Sequence, residues 1–141
     1  MCHIHIGYDI DGVWNKETMN VIITRAFDLF VVIPSCLIYV DQRRFENYGG
    51  LGQYRDTSYG LECRSLGGYF ANPKYTSWIF DQVNKAIEFI NNEENFYKLN
   101  YMAKPNVTFK DNKFIFDSSV YDKLNIVFDE QLIITKKAIY V

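Results

Sequence analysis

Polar and apolar residues alternate at the start of the chain, a pattern that predicts a β-strand. His3, His5 and Gly7 would lie on one face of that strand, because successive side chains of a strand point to opposite faces. The opposite, core-facing side would carry Ile4, Ile6 and Tyr8. Two imidazoles on one strand face are typical of a metal or phosphate site. The alternative is a frayed chain end with solvated imidazoles.

Apolar residues at three- and four-residue spacing predict two helices. The first covers residues 16–30, with Asn15 as its N-cap, and Pro34 is expected to prevent any helical continuation. The second begins at Thr76 or Ser77 and runs to about residue 91.

Short apolar segments separated by turn residues predict the other strands, at residues 36–40, 59–66, 107–109, 114–116, 124–128 and 132–141. Residues 41–57 are polar and glycine-rich, and predict a loop. Together these elements indicate an α+β fold, a mainly antiparallel sheet with two helices packed on one face. A soft boundary near residue 100 separates residues 1–100, half of an α+β domain, from residues 101–141, a β-rich C-terminal appendix packing on the same domain.

Length, charge and cysteine content narrow the classes of function. A chain of 141 residues fits one domain, and its net charge of −2 does not indicate nucleic-acid binding. The most apolar stretch, residues 29–40, is too short to cross a membrane, so no membrane contact is expected. Three cysteines without paired spacing, and no signal-peptide pattern, predict a reduced, cytoplasmic protein.

Four polar motifs are candidates for one site. They are His3-x-His5, Asp41-x-Arg43-Arg44, the loop at residues 49–55 that contains Arg55, and Glu62-x-Arg64. If the strands share a sheet, imidazoles, a carboxylate and guanidinium groups line one surface, where they could hold a divalent cation and polyphosphate oxygens. The alternatives are loop arginines paired with nearby acids, and a purely structural cross-strand ion pair.

The motifs that follow carry a resemblance to a known family. They are HIHIGYD at residues 3–9, Ile33-Pro34-Ser35, Asp41, Arg43-Arg44, Tyr48-Gly49, Gly52, Arg55 and Tyr59-Gly60-x-Glu62-x-Arg64-x-Leu66. Over about residues 3–95 the chain resembles the phage-type carboxylate–amine ligases, also called COOH-NH2 ligase type 2 or amidoligases, which are related to glutamine synthetase. The resemblance implies that ATP and a divalent metal, Mg²⁺ or Mn²⁺, activate a carboxylate as an acyl phosphate, which an amine then attacks.

The resemblance also implies roles for individual residues. His3, His5 and Glu62 would be metal ligands. The residues expected to bind phosphate or the substrate carboxylate are Arg43, Arg44, Arg55 and Arg64. From their positions around the arginine loop, a recognition surface is expected at Tyr48, Tyr54, Tyr59 and Tyr69.

Departures from the family pattern shape the expected function. Met1-Cys2 stand where the family has Gly-Gly, Cys63 replaces an aromatic residue, and the family's acidic N-terminal half is not in this sequence. The sequence therefore predicts a non-catalytic phage or prophage binding protein in the host cytoplasm. Its expected role is inhibition of host defence through a host protein, as anti-CRISPR proteins do. Either the appendix or a second copy, in a homodimer or oligomer, is expected to cover the open sheet. The alternative is an ATP- and metal-dependent ligase whose active site a second chain completes.

Overall fold

A three-stranded antiparallel sheet carries the predicted polar residues. In the computed structural model its strands are β1 (Ile4–Gly7), β2 (Tyr54–Thr57) and β3 (Gly60–Cys63), in the order β1-β3-β2. The structure describes residues 3–9, 14–38, 42–47, 50–66, 73–102, 104–111 and 113–126, without the side chain of Arg44. The alternation predicted for the first strand is confirmed, since Ile4 is buried and His5 is exposed.

One continuous helical segment follows the first strand, and it is longer than the sequence predicts. It consists of α1 (Lys16–Phe27), a π-helical stretch (Asp28–Val32) and α2 (Ile33–Ile38). Asn15 is the N-cap of α1, as predicted, and its side chain accepts a hydrogen bond from the Thr18 N–H. The predicted helix end before Pro34 and the predicted strand from residue 36 are wrong. Pro34 lies inside this continuous segment, directly after the π-helical stretch. It has no N–H to donate to the preceding turn, and the Phe30 carbonyl accepts a hydrogen bond of 2.8 Å from Gln82 Nε2 instead.

This segment is also apolar. By length and hydropathy alone, Lys16–Ile38 could cross a membrane, but 78% of its apolar window is buried inside the protein. Burial of that extent is expected of a helix at the centre of a folded core.

The remaining elements are α3 (Gln42–Asn47), α4 (Pro73–Ile90), α5 (Glu93–Asn100), β4 (Val107–Lys110), β5 (Lys113–Phe116) and α6 (Ser119–Lys123). The predicted loop at residues 41–57 therefore contains a helix and a strand. The hairpin predicted near residues 107–116 is confirmed. Residues 124–126 follow α6 in a turn rather than a strand, and the strand predicted at residues 132–141 lies outside the described residues.

Two helical layers cover the apolar face of the sheet. α1 contacts β2 and β3, and α4 packs on α1 and on the π-helical stretch. The hairpin of β4 and β5 forms a separate sheet and packs through Phe109 and Phe114 against Phe45 of α3. The described strands of the appendix do not pair with the three-stranded sheet, and coverage of its edge by a second copy, the other expected arrangement, stays a prediction. The α+β class is confirmed.

Candidate functional site

Glu62 lies at the centre of a cluster of charged side chains on the polar face of the three-stranded sheet. Only 2% of the residue is exposed. Its Oε1 atom is 2.6 Å from Nδ1 of His3, and its Oε2 atom is 2.5 Å from Nη2 of Arg55. Arg64 Nε lies 3.6 Å from Oε1, and His5 Nε2 lies 4.0 Å from Oε2. Five of the residues predicted to form the site are thus in one place.

Strand register brings these residues together. His5 pairs with Glu62 across β1 and β3, and Arg55 pairs with Glu62 across β2 and β3. Residues paired in this way project from the same face of an antiparallel sheet. His3 and Arg64 lie two positions from His5 and Glu62 in the chain, so they share that face at one end of the same strands.

Burial and charge set the protonation of the cluster. Burial opposes ionisation of Glu62, but the Arg55 charge and His3 hold the pKa of its carboxyl below the usual value. Burial lowers the pKa of His3 even though Glu62 favours the charged form. Glu62 is therefore ionised at neutral pH and His3 is mainly neutral. A neutral His3 can donate its Nδ1–H to Glu62.

A divalent cation does not fit this cluster on its own. Within the described ranges, no three His, Cys, Asp or Glu side chains are grouped so that they could hold a metal ion. Both carboxylate oxygens of Glu62 already face cationic or N–H groups, and a metal ion would lie beside the Arg55 guanidinium. The predicted set of His3, His5 and Glu62 is in one place, and its role as a metal site stays a prediction.

The other predicted residues are placed as follows. Arg43 is exposed on α3 and is not among the described residues that contact Glu62. Tyr54 is half-buried and packs against the core. Tyr59 is 49% exposed, and its hydroxyl lies within hydrogen-bond distance of His5 Nδ1. Three members of the predicted set, Tyr48, Tyr69 and the side chain of Arg44, lie outside the described residues.

A polar network on the opposite face of the sheet was not predicted. The Tyr8 hydroxyl donates to Asn20 Oδ1 over 2.5 Å, and Asn20 Nδ2 donates to Asp56 Oδ1 over 2.7 Å. Lys16 Nζ is 2.9 Å from the same Asp56 oxygen. This network ties β2, and the chain just beyond β1, to α1. Asn20, a polar residue among the apolar residues of a predicted helix, is the signal that could have revealed it.

Asp28 is a second residue that sequence reasoning missed. It begins the π-helical stretch, is buried, and its Oδ2 atom accepts a hydrogen bond of 2.8 Å from the Gly52 N–H. Its Oδ1 atom is buried without a hydrogen-bond partner among the residues that the structure describes. The contact joins the central helical segment to the loop that leads into β2 and Arg55. A lone acid within the apolar run of residues 26–33 was the available signal.

Comparison with known proteins gives one match. No curated protein and no solved structure matches the chain. The family described as Phage phiEco32-like COOH.NH2 ligase-type 2 matches residues 2–110. The match includes all three strands of the polar sheet and extends through β4, beyond the predicted boundary near residue 100. The chain belongs to this phage COOH-NH2 ligase type 2 family.

Proposed function

We propose that the polar face of the three-stranded sheet is the anion-binding wall of a carboxylate–amine ligase active site. The observation that carries the proposal is the convergence of Arg55, Arg64, His3 and His5 around the carboxylate of Glu62. Guanidinium groups bind phosphate and carboxylate oxygens through charge-assisted hydrogen bonds, and Arg55 and Arg64 bring two such groups to this face. Family membership supports the phosphates of ATP and a substrate carboxylate as the anions.

Arg55 is the residue that we expect to contact the ligand. Its side chain is 62% exposed, and it contacts Glu62 through Nη2. The side chains of His3 and Arg64 are less exposed and lie against the other carboxylate oxygen. These two residues would hold Glu62 in place when Arg55 turns toward a phosphate. Glu62, His3 and Arg64 thus form a supporting frame, and Arg55 forms the binding surface.

Transfer of a phosphoryl group from ATP to a carboxylate requires positive charge beside the phosphoryl oxygens. The γ-phosphoryl group of ATP passes to an oxygen of the substrate carboxylate, and an amine then displaces phosphate from the acyl phosphate. Negative charge spreads over the phosphoryl oxygens during transfer. Fixed guanidinium groups stabilise that charge more effectively than solvent does, because they are already oriented.

We further propose that a second chain supplies the carboxylates that a bound Mg²⁺ or Mn²⁺ needs. β1 pairs with β3, and no other described strand pairs with its outer edge. Open edges accept strands from partner chains. A strand added there would lie directly beside His3 and His5. The partner is a second copy in a homodimer or a separate protein, and the proposed location is the cytoplasm, where ATP is available.

A second candidate function is the non-catalytic binding protein, with inhibition of a host defence system as its role. The observation that favours it is the internal pairing of Glu62. Because its carboxylate already has His3 and Arg55 as partners, the cluster is stable without a ligand and can serve as a scaffold.

Binding of ATP and inorganic pyrophosphate tests the first proposal. We would measure both by isothermal titration calorimetry, with and without Mg²⁺, for the wild type, Arg55→Gln and Lys85→Gln. Lys85 is exposed on α4 and is the control for loss of one positive charge. Arg55→Gln is expected to weaken binding by about tenfold or more, since one charge-assisted hydrogen bond contributes about 1.5–3 kcal/mol. Lys85→Gln should bind as the wild type does.

Two outcomes would contradict the proposal. One is an absence of pyrophosphate and ATP binding by the wild type under all these conditions. The other is an equal loss of affinity in Arg55→Gln and Lys85→Gln, which would indicate a nonspecific charge effect. Binding of ATP without phosphate release, even after a candidate partner chain is added, would favour the binding-protein function.

A further inference from the structure

Tyr59 and His5 form a pair at the exposed margin of the polar face. Tyr59 lies in the turn between β2 and β3, and its hydroxyl is within hydrogen-bond distance of His5 Nδ1. The ring centroids are 5.9 Å apart. The Tyr59 carbonyl accepts a backbone hydrogen bond of 3.0 Å from the Tyr8 N–H, which anchors the turn to the chain just beyond β1.

The two ring nitrogens of His5 have different neighbours. Nδ1 faces the Tyr59 hydroxyl, and Nε2 faces Oε2 of Glu62 at 4.0 Å. A proton on Nε2 lies favourably near the negative carboxylate, whereas a lone pair there would be repelled by it. With the proton on Nε2, Nδ1 is an acceptor, and the Tyr59 hydroxyl is a suitable donor.

We infer that Tyr59 is a positioning residue that holds His5 in the Nε2–H tautomer, so that His5 donates a hydrogen bond to a bound anion. This inference rests on the proposed anion site. It gives His5 a different role from that of a metal ligand, because a protonated Nε2 has no lone pair for a metal ion. It also separates the two histidines, since His3 donates to Glu62 through Nδ1 and belongs to the frame.

The tautomer can be read directly by ¹⁵N NMR of the imidazole rings. The chain contains only two histidines, so a His3→Gln variant assigns both sets of signals. We expect the wild type to show His5 protonated at Nε2, with Nδ1 at the shift of a hydrogen-bonded acceptor. In Tyr59→Phe that Nδ1 signal should move toward the value of a nitrogen without a donor. Tyr97→Phe, which removes another part-exposed hydroxyl, should leave both signals unchanged.

Pyrophosphate affinity gives the functional measurement. Tyr59→Phe should weaken pyrophosphate binding by about threefold to tenfold, the range for loss of one hydrogen bond. His5→Gln keeps an N–H donor and should retain most of the affinity, whereas His5→Leu should not. Adding Tyr59→Phe to His5→Gln should then have no further effect, because glutamine has no tautomer to set.

The outcomes separate this inference from the proposed function. A wild-type His5 protonated at Nδ1, or a Tyr59→Phe variant with an unchanged Nδ1 signal and unchanged affinity, would overturn the role of Tyr59. If wild-type protein shows the expected tautomer but does not bind pyrophosphate, the anion site is refuted and the pairing of Tyr59 with His5 stands.

Discussion

Asp28 provides a test of how the free energy of unfolding depends on pH through a buried carboxyl group. Burial raises the pKa of this carboxyl from 3.8 to about 8, although the Gly52 N–H and the charge of Lys104 act in the opposite direction. Asp28 is therefore protonated in the folded protein at neutral pH and ionised in the unfolded chain. Asp28→Asn replaces the acid by a neutral group of the same shape that can still accept the hydrogen bond from Gly52.

The sign of the effect follows from proton binding. Between the unfolded pKa of 3.8 and the folded pKa of about 8, the folded state binds one more proton at Asp28 than the unfolded state. Rising pH therefore lowers the free energy of unfolding through Asp28, by about 1.4 kcal/mol per pH unit. Asn has no such dependence. The free energy of unfolding of Asp28→Asn, relative to that of the wild type, should thus rise by about 3 kcal/mol between about pH 5 and pH 7, and level off near pH 8.

Urea unfolding at several pH values measures this difference. All other titrating groups are shared by the two proteins, so the difference between wild type and variant isolates Asp28. Asp122→Asn, the same chemical change on an exposed residue of α6, is the control for the substitution itself. A difference for Asp28→Asn that does not change with pH, or that falls as pH rises, would refute the reasoning.

Three further predictions concern the sheet and its supports. Gly60→Ala should destabilise the protein by about 2 kcal/mol or more in urea unfolding, because a Cβ atom there would overlap the Ile6 carbonyl oxygen. A Gly60→Ala variant as stable as the wild type would contradict the pairing of β1 with β3. Arg25→Met should lower the free energy of unfolding by about 1–3 kcal/mol, since the Arg25 guanidinium donates to two carbonyl oxygens at the end of α5 over 2.7 and 3.0 Å. An unchanged free energy of unfolding would show that these hydrogen bonds do not contribute. Glu62→Gln should lower Tm more than the surface control Glu94→Gln, because the cations of the cluster lose their counter-charge. For the same reason, added phosphate should raise Tm more in Glu62→Gln than in the control, and equal responses would argue against an anion site.

Short sequence patterns predicted the elements that are determined by neighbouring residues in the chain. The alternation at residues 3–8 and the N-cap at Asn15 are sufficient to place β1 and the start of α1. The predicted helix end at Pro34 was wrong, because a π-helical stretch precedes the proline and Gln82 donates to the Phe30 carbonyl in place of the missing N–H. Tertiary packing of an apolar segment determines that outcome, and no short-range signal in residues 28–38 distinguishes it from a buried strand.

The polar face was predictable in part. Two-residue spacing placed His3 with His5 and Glu62 with Arg64 on strand faces, and the structure brings both pairs together. Arg55 was expected in a loop, so its position opposite Glu62 on β2 depended on a register that the sequence alone does not specify. The buried role of Asp28 arises from contacts between segments far apart in the chain.

Glu62 is required by the fold as well as by the proposed chemistry, and this affects how such proteins diversify. Its carboxylate compensates the charges of Arg55 and Arg64 and accepts a hydrogen bond from His3, so a copy that ceased to catalyse would still need it for a stable sheet. Selection for folding alone would therefore retain Glu62 and Arg55 in descendants that have acquired a binding role. Sequence drift in such descendants should appear first at Tyr59, whose exposed ring can be lost without unpairing the strands.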